Sequence, residues 1–239
     1  MPTLTVPRVF IYIFFTKLPN IFYKYWVFLN LLQEYAMSKL KDNMWHQRFG
    51  DKEYYYGKAP NDFLKEAAKH IPESSTVVSL GEGEGRNAVF LAEQGHQVTA
   101  VDIALSGIEK TQALAKERGV EVTTVHADLT DYSLESGAWG AAINIFCHMH
   151  KSERPAFYQM IKQGLKSGGV VIFECYTTKQ PAYNTGGPGN IDLLYTLEEL
   201  KESFADMEIL HLAEVEREIY EGQGHSGLSS VVQMIARKR

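Results

Sequence analysis

The first strong signal along the chain is an apolar run that stops on glycine. Thr76-Val77-Val78-Ser79-Leu80 leads into Gly81-Glu82-Gly83-Glu84-Gly85, and Ala88, Val89, Leu91 and Ala92 then fall at helical spacing. That order predicts a buried strand, a tight turn and a helix N-terminus. Upstream, Asn61 stands as a cap before Phe63, Leu64, Ala67, Ala68 and Ile71, which share one helix face. Downstream, Gln97–Asp102 reads as a second strand, and Leu105, Ile108, Thr111 and Ala115 mark a helix that Gly119 ends. Val120, Val122 and Val125 form a third strand, and Ala141 to Phe146 a fourth.

Ser152 is expected to cap the next helix, which carries Phe157, Met160, Ile161, Gly164 and Leu165. Gly168-Gly169 should turn into a fifth strand, Val170–Glu174. The loop from Tyr176 to Gly189 has the length and glycines of a substrate-facing lid. Thr196 and Glu199 form a capping box ahead of Leu197, Leu200 and Phe204. Glu208–Ile219 and Ser229–Ala236 read as two last strands joined by a glycine-rich turn.

At 239 residues, 45% hydrophobic and 22% charged, the chain can bury a sizeable core as one domain. A net charge of −5 offers no basic face, so no nucleic-acid partner is expected. Two cysteines, Cys147 and Cys175, imply no disulfide framework, and a reducing, cytoplasmic setting is expected.

Residues 1–36 differ from the rest. Val9–Thr16 and Tyr25–Gln33 are apolar runs, each shorter than the ~18–20 residues that cross a bilayer. Three readings stand: an upstream start codon, an interfacial segment with weak membrane association, or a helix packed on the domain. The polar stretch from Met37 favours Met37 as the start, with the domain at 37–239.

The glycine spacing separates two ligand classes. A dinucleotide fingerprint needs its third glycine at position 86, where this chain has Arg86. Glu82 and Glu84 would also repel phosphate oxygens at a helix N-terminus. S-adenosylmethionine, with its sulfonium and ammonium, suits an acidic loop better. Here the chain resembles class I S-adenosylmethionine-dependent methyltransferases. The form Gly83-x-Gly85-Arg86-Asn87-Ala88 is similar to the tellurite-resistance-type and thiopurine-type small-molecule branch. The resemblance covers about residues 40–239. It implies an α/β fold: a single-domain, Rossmann-like doubly wound sheet, mostly parallel with an antiparallel C-terminal strand pair.

It also implies a set of residues. Gly81, Glu82, Gly83, Gly85, Arg86 and Asn87 would line the cofactor loop, with Arg86 facing the methionine carboxylate. Ser79 stands where the family commonly has an acid, and Glu82 is a candidate substitute. Asp102, seventeen positions beyond Gly85, can accept from both ribose hydroxyls, with Ile103 beside it; an N-cap aspartate is the alternative. Asp128 would take the adenine amino group and Leu129 border the ring. Phe146 and Cys147 follow the fourth strand and would border the methyl-transfer pocket. The aromatic stretch from Trp45 to Tyr56 either packs on the sheet edge or forms a flap, with Tyr56 at the acceptor.

Methyl transfer is an in-line displacement, so alignment is the protein's main task. A base is needed only for a protonated acceptor. His148 is the first candidate for it, followed by His150 and His225. Phe146, His148 and Tyr183 rank above His225 as acceptor contacts, because the last turn reaches that edge only by folding back. The His148-x-His150 pair lacks a third ligand, so no metal is expected. The reading is a methyltransferase acting on a small molecule with S-adenosylmethionine, as a monomer. Its alternatives are a non-catalytic or membrane-tethered scaffold and a nicotinamide-dependent oxidoreductase.

Overall fold

A computed structural model describes residues 43–239; the expectations for residues 1–36 and for Met37 fall outside them. Seven strands form one sheet: β1 (Thr76–Leu80), β2 (Gln97–Asp102), β3 (Val122–His126), β4 (Trp139–Ile145), β5 (Leu165–Tyr176), β6 (Glu208–Glu221) and β7 (His225–Arg237). Their order is β3-β2-β1-β4-β5-β7-β6. The first five run parallel, whereas β7 is antiparallel to both β5 and β6. The doubly wound α/β expectation, with its antiparallel C-terminal pair, therefore holds.

The helices are α1 (Met44–Arg48), α2 (Asp62–Ala67), α3 (Arg86–Glu93), α4 (Leu105–Arg118), α5 (Arg154–Gly164) and α6 (Leu197–Ser203). Successive strand residues point to opposite faces, and the sheet accordingly separates two cores. Val78, Leu80, Val171, Phe173 and Cys175 face one core, which Phe157 and Ile161 of α5, Leu200 of α6 and Phe204, the C-cap of α6, complete. Val77, Ile143, Val170 and Ile172 face the other, with Phe63 and Leu64 of α2 and Leu91 of α3. Fully burying one such side chain contributes about 1.5–3 kcal/mol. Both faces of β1 and β5 are covered, which explains their unbroken apolar runs.

Several local expectations hold and others fail for identifiable reasons. Asn61 caps α2, its side chain accepting from Leu64 N at 2.9 Å. Gly119 ends α4 in the left-handed region. Strand β5 begins at Leu165 rather than after the glycine pair, because Leu165 already pairs with Trp139 before the register shifts. Ser152 does not cap α5; its hydroxyl bonds His150 Nδ1 at 2.8 Å.

The capping box at α6 is half made. Thr196 Oγ1 accepts from Glu199 N at 3.1 Å, but the Glu199 carboxylate turns to Arg154 and to the Tyr158 hydroxyl. Arg154, the first residue of α5, is 1% exposed. Its guanidinium donates to Met149 O, Asp192 O, Leu194 O and Glu199 Oε2 at 2.6–3.0 Å, and it lies 3.8 Å from the Tyr195 ring centroid. One side chain thus ties α5, α6 and the segment before α6 into the first core.

Removing Arg154 would strand Glu199 and three carbonyls without their donor. Arg154→Ala should lower the unfolding free energy by about 3–5 kcal/mol. Arg154→Lys should recover only a minor part, since an ammonium cannot spread over four acceptors and a ring. Chemical denaturation of the three proteins measures this.

Candidate active site

The carboxyl edge of the parallel strands carries the glycine loop. Gly81 N and Glu82 N both donate to Val101 O, which fastens the loop to β2. Gly81 and Gly85 have φ of +64° and +96°, a region that side chains rarely adopt. A Cβ at Gly81 would run into the Cys147 side chain, and one at Gly85 would come within 2.7 Å of Thr111. At Gly83 the neighbour is the Phe49 ring. Glycine here admits the chain's own groups, and not only a ligand as the spacing alone suggests.

The loop acids are spent locally. Glu82 Oε1 accepts from Asn87 N and Ala88 N at 3.1 and 3.0 Å, while Ser79 Oγ donates to Oε2. This carboxylate occupies the anion seat of α3 and takes the hydroxyl of the serine that stands in for the family's acid. Burial pushes its pKa up to about 6 against those hydrogen bonds. Glu84 pairs with Lys110 at 2.7 Å and accepts from Tyr56 N at 3.3 Å. The acidic character read from the sequence is thus largely met within the protein, with both carboxylates partnered. Their exclusion of a pyrophosphate stands on better ground, because the helix N–H groups that would bind one are already engaged.

Asp102 ends β2, where its Oδ2 accepts from Gly83 N and its Oδ1 from Ala104 N, both at 2.7 Å. Burial raises its pKa above the usual carboxylate range. It braces the loop and retains lone pairs on both oxygens. Ile103 is half-buried, and its carbonyl is bonded by Asn43 Nδ2 and His126 Nε2. At the end of β3, Asp128 Oδ1 accepts from the backbone and hydroxyl of Thr130, and Leu129 packs at the margin of the first core.

Residues 43–60 lie across this loop. Phe49 is 3% exposed, packs on Gly83, stacks with Trp45 and meets Tyr56 edge-on. The flap reading of these aromatics therefore describes their placement. The turn between β6 and β7 holds the flap: Gln223 N donates to Tyr55 O at 2.7 Å, and Gly222 and Gly224 pack against Tyr55 and Tyr56.

Beneath the flap lies a buried polar network that the sequence did not disclose. Glu221 accepts from Arg86 Nη2 at 2.6 Å, from His225 Nδ1 at 2.8 Å and from Asn61 Nδ2 at 2.9 Å. Asn61 Nδ2 also donates to Glu174, which Arg217 grips with two N–H groups and Gln233 with a third donor. Burial would raise the Glu221 carboxyl, but the bonds from His225 and Arg86 outweigh it and hold the pKa down at about 2. The second guanidinium nitrogen of Arg86, Nη1, is buried and has no hydrogen-bond partner. The spacing Glu221-x-x-x-His225 across a glycine turn was the one available clue.

That turn folds back, so His225 reaches the rings at the end of β4 and β5 alongside Phe146 and His148. His225 meets Tyr56, Phe146 and Tyr176 with ring centroids 4.6, 4.6 and 5.3 Å away. Phe146 sits at φ +55°, a strained conformation for a bulky residue. Tyr183, ranked above His225, instead turns its hydroxyl to Glu216.

His148 stacks on Tyr176 and donates from Nδ1 to Leu193 O at 2.8 Å. Its Nε2 is shielded and unpartnered, and burial pushes its pKa down to about 3, too low for it to hold a proton at neutral pH. Cys147 lies against Gly81, and burial drives its thiol up to about 12. The loop expected to act as a lid is pinned by Gln180, which bonds Thr185, Gly186 and Ser230 N. Among the described residues no cluster suited to a metal ion occurs.

The donor set fits S-adenosylmethionine better than a dinucleotide: an acid at the end of β2, a buried arginine nitrogen (Arg86 Nη1) without a hydrogen-bond partner, and a helix start closed to phosphate. Comparison with known proteins points the same way. A family model described as a methyltransferase domain matches residues 77–169. The 2-heptyl-1-hydroxyquinolin-4(1H)-one methyltransferase of Mycobacteroides abscessus is 31% identical over 104 residues, 41% of this chain and 46% of that protein.

TehB of Haemophilus influenzae, described as a probable S-adenosyl-L-methionine-dependent methyltransferase, is 24% identical over 79% of this chain and 67% of its own. Its crystal structure superposes with a TM-score of 0.64 and 22% identity, covering 77% of this chain and 64% of that one. The Burkholderia thailandensis 1,6-didemethyltoxoflavin-N1-methyltransferase, solved with S-adenosylhomocysteine, gives 0.56 at 18% identity, covering 92% and 91%. At such identities the superpositions speak for the fold. The chain spans about half the length of the curated relatives it first matches, at 46%, 46% and 56%. With this strand order, this loop and these matches together, the chain carries a methyltransferase-domain match and resembles the class I S-adenosylmethionine-dependent methyltransferases of the TehB type.

Proposed function

We propose that the chain transfers a methyl group from S-adenosylmethionine to a small-molecule acceptor. The observation that carries this reading is the loop after β1, braced by Asp102 and closed to phosphate by Glu82. Asp102 would hold the ribose hydroxyls, Asp128 and Leu129 the adenine, and Arg86 Nη1 the methionine carboxylate, which gives that orphaned donor its acceptor. When bound, the cofactor supplies an electrophilic methyl group. The chain's own task is then to orient an acceptor and exclude water.

The Phe49–Tyr56 flap, which packs on Gly83, and the β6–β7 turn, which holds it, would supply the exclusion. A small acceptor is supported by the net charge of −5 and by a site walled with aromatic rings. No helix of the described residues is long and apolar enough to cross a membrane.

Calorimetry should find binding of S-adenosylhomocysteine and none of a nicotinamide dinucleotide; the reverse order of affinity would remove the methyltransferase reading. Asp102→Ala should weaken S-adenosylhomocysteine by about 1.5–3 kcal/mol, the scale for losing hydrogen bonds to a charged group. Because Asp102 also braces Gly83, a thermal melt should accompany the titration. A folded variant with unchanged affinity would take Asp102 out of the site.

A further inference from the structure

Four rings from four separate segments converge at the acceptor side. Tyr56 comes from the flap, Phe146 from the end of β4, Tyr176 from the end of β5 and His225 from the start of β7. Phe146 and Tyr176 are themselves 4.8 Å apart, so the rings form a continuous apolar wall. The wall holds a strained residue, Phe146, in place, and such strain gathers where geometry serves a ligand.

His225 differs from the other rings in having a carboxylate behind it. Its Nδ1 donates to Glu221 Oε2 at 2.8 Å, which fixes the tautomer and leaves the Nε2 lone pair with no hydrogen bond among the described residues. A carboxylate behind an imidazole is the arrangement that orients a base and stabilises the imidazolium once it takes a proton. The charges around it cancel: Arg86 pairs with Glu221, and Arg217 with Glu174. A site without net positive charge does not gather a small hydrated oxyanion, whereas stacked rings favour a planar ligand.

We propose, resting on the methyltransferase reading, that this site takes a planar aromatic acceptor with an acidic O–H, and that His225, oriented by Glu221, removes its proton. The O–H bond breaks and an N–H bond forms at Nε2; the acceptor oxygen keeps the electron pair and uses it for the new O–CH3 bond, while the methyl–sulfur bond would break and leave its pair on the departing thioether. Glu221 balances the charge on the imidazolium. His148 does not compete for the role, because its Nε2 is shielded from solvent. Burial lowers the pKa of His225, with Glu221 acting the other way, so the ring is the free base at neutral pH. The titratable and charged groups facing it are Glu221, Arg86, Tyr56, Tyr176, Glu174 and His148.

The test uses the full chain with 2-naphthol, a planar phenol whose fluorescence reports binding, and with selenite as the rival oxyanion. In the presence of S-adenosylhomocysteine the wild type should bind 2-naphthol, and selenite should not displace it. With S-adenosylmethionine it should methylate the naphthol oxygen. His225→Asn should keep its affinity for S-adenosylhomocysteine within about twofold, weaken 2-naphthol about tenfold, and cut turnover roughly 10²–10⁴-fold.

Its residual rate should follow the naphthol's own ionisation, and Glu221→Gln should shift the wild-type acid limb to lower pH. If His225→Asn does not fold, the wild-type competition still decides. S-adenosylhomocysteine bound but 2-naphthol neither bound nor methylated would overturn the acceptor class. Equal pH profiles for wild type and His225→Asn would overturn the base. No binding of S-adenosylhomocysteine would overturn the methyltransferase reading beneath both.

Discussion

Glu221 is the carboxylate on which three separate elements meet at the carboxyl edge of the sheet. It is 9% exposed at the end of β6, and its two oxygens take donors from the start of α3, the start of α2 and the start of β7. A lone buried carboxylate would cost several kcal/mol, and leaving it half satisfied would be worse than omitting it. The three donors must therefore arrive together. That requirement fixes where the glycine loop, the flap and the last hairpin stand relative to one another. Glu174, on β5 two strands inward, repeats the device with Arg217 of β6, and Asn61 is the shared bridge.

The strand and helix framework was legible because it is written in periodicity. Runs such as Val77–Leu80 and Val170–Phe173 are buried on both faces, and caps such as Asn61 and Gly119 lie beside the positions they terminate. The position of the glycine loop was legible for the same reason. What escaped was side-chain traffic over long separations. Arg154 reaches residues 38 to 45 positions away, and Arg86 reaches Glu221 across 135. No local pattern records such partners, and nothing in the sequence marks Arg154. Glu199 read as half of a capping box that it does not close. His225 stood below Tyr183 because the last turn reaches that edge only by folding back, and the β6–β7 hairpin does fold back far enough to bring His225 to the rings.

Glu82 and Glu84 show how a correct exclusion can rest on an incomplete reason. Two carboxylates in a glycine loop look like a negative field aimed outward. In the fold one is a helix cap and the other half of an ion pair, so neither projects its charge. A helix start already satisfied by the chain's own acid is nonetheless a firmer bar to phosphate than bare repulsion, which salt would screen. The same economy brings the Glu82 carboxylate, three residues on, to the Ser79 hydroxyl at the end of β1.

The close fit of Cys147 against Gly81 has a consequence for reagents rather than for catalysis. A thiol held near pKa 12 is almost never a thiolate, and the thiolate is the form that alkylating agents and peroxides attack. Cys175, fully buried with its thiol raised well above the ordinary value, is equally inert. Inhibition of this protein by maleimides or mild oxidants would therefore report prior opening of the sheet edge, and the two cysteines can serve as silent gauges of local unfolding.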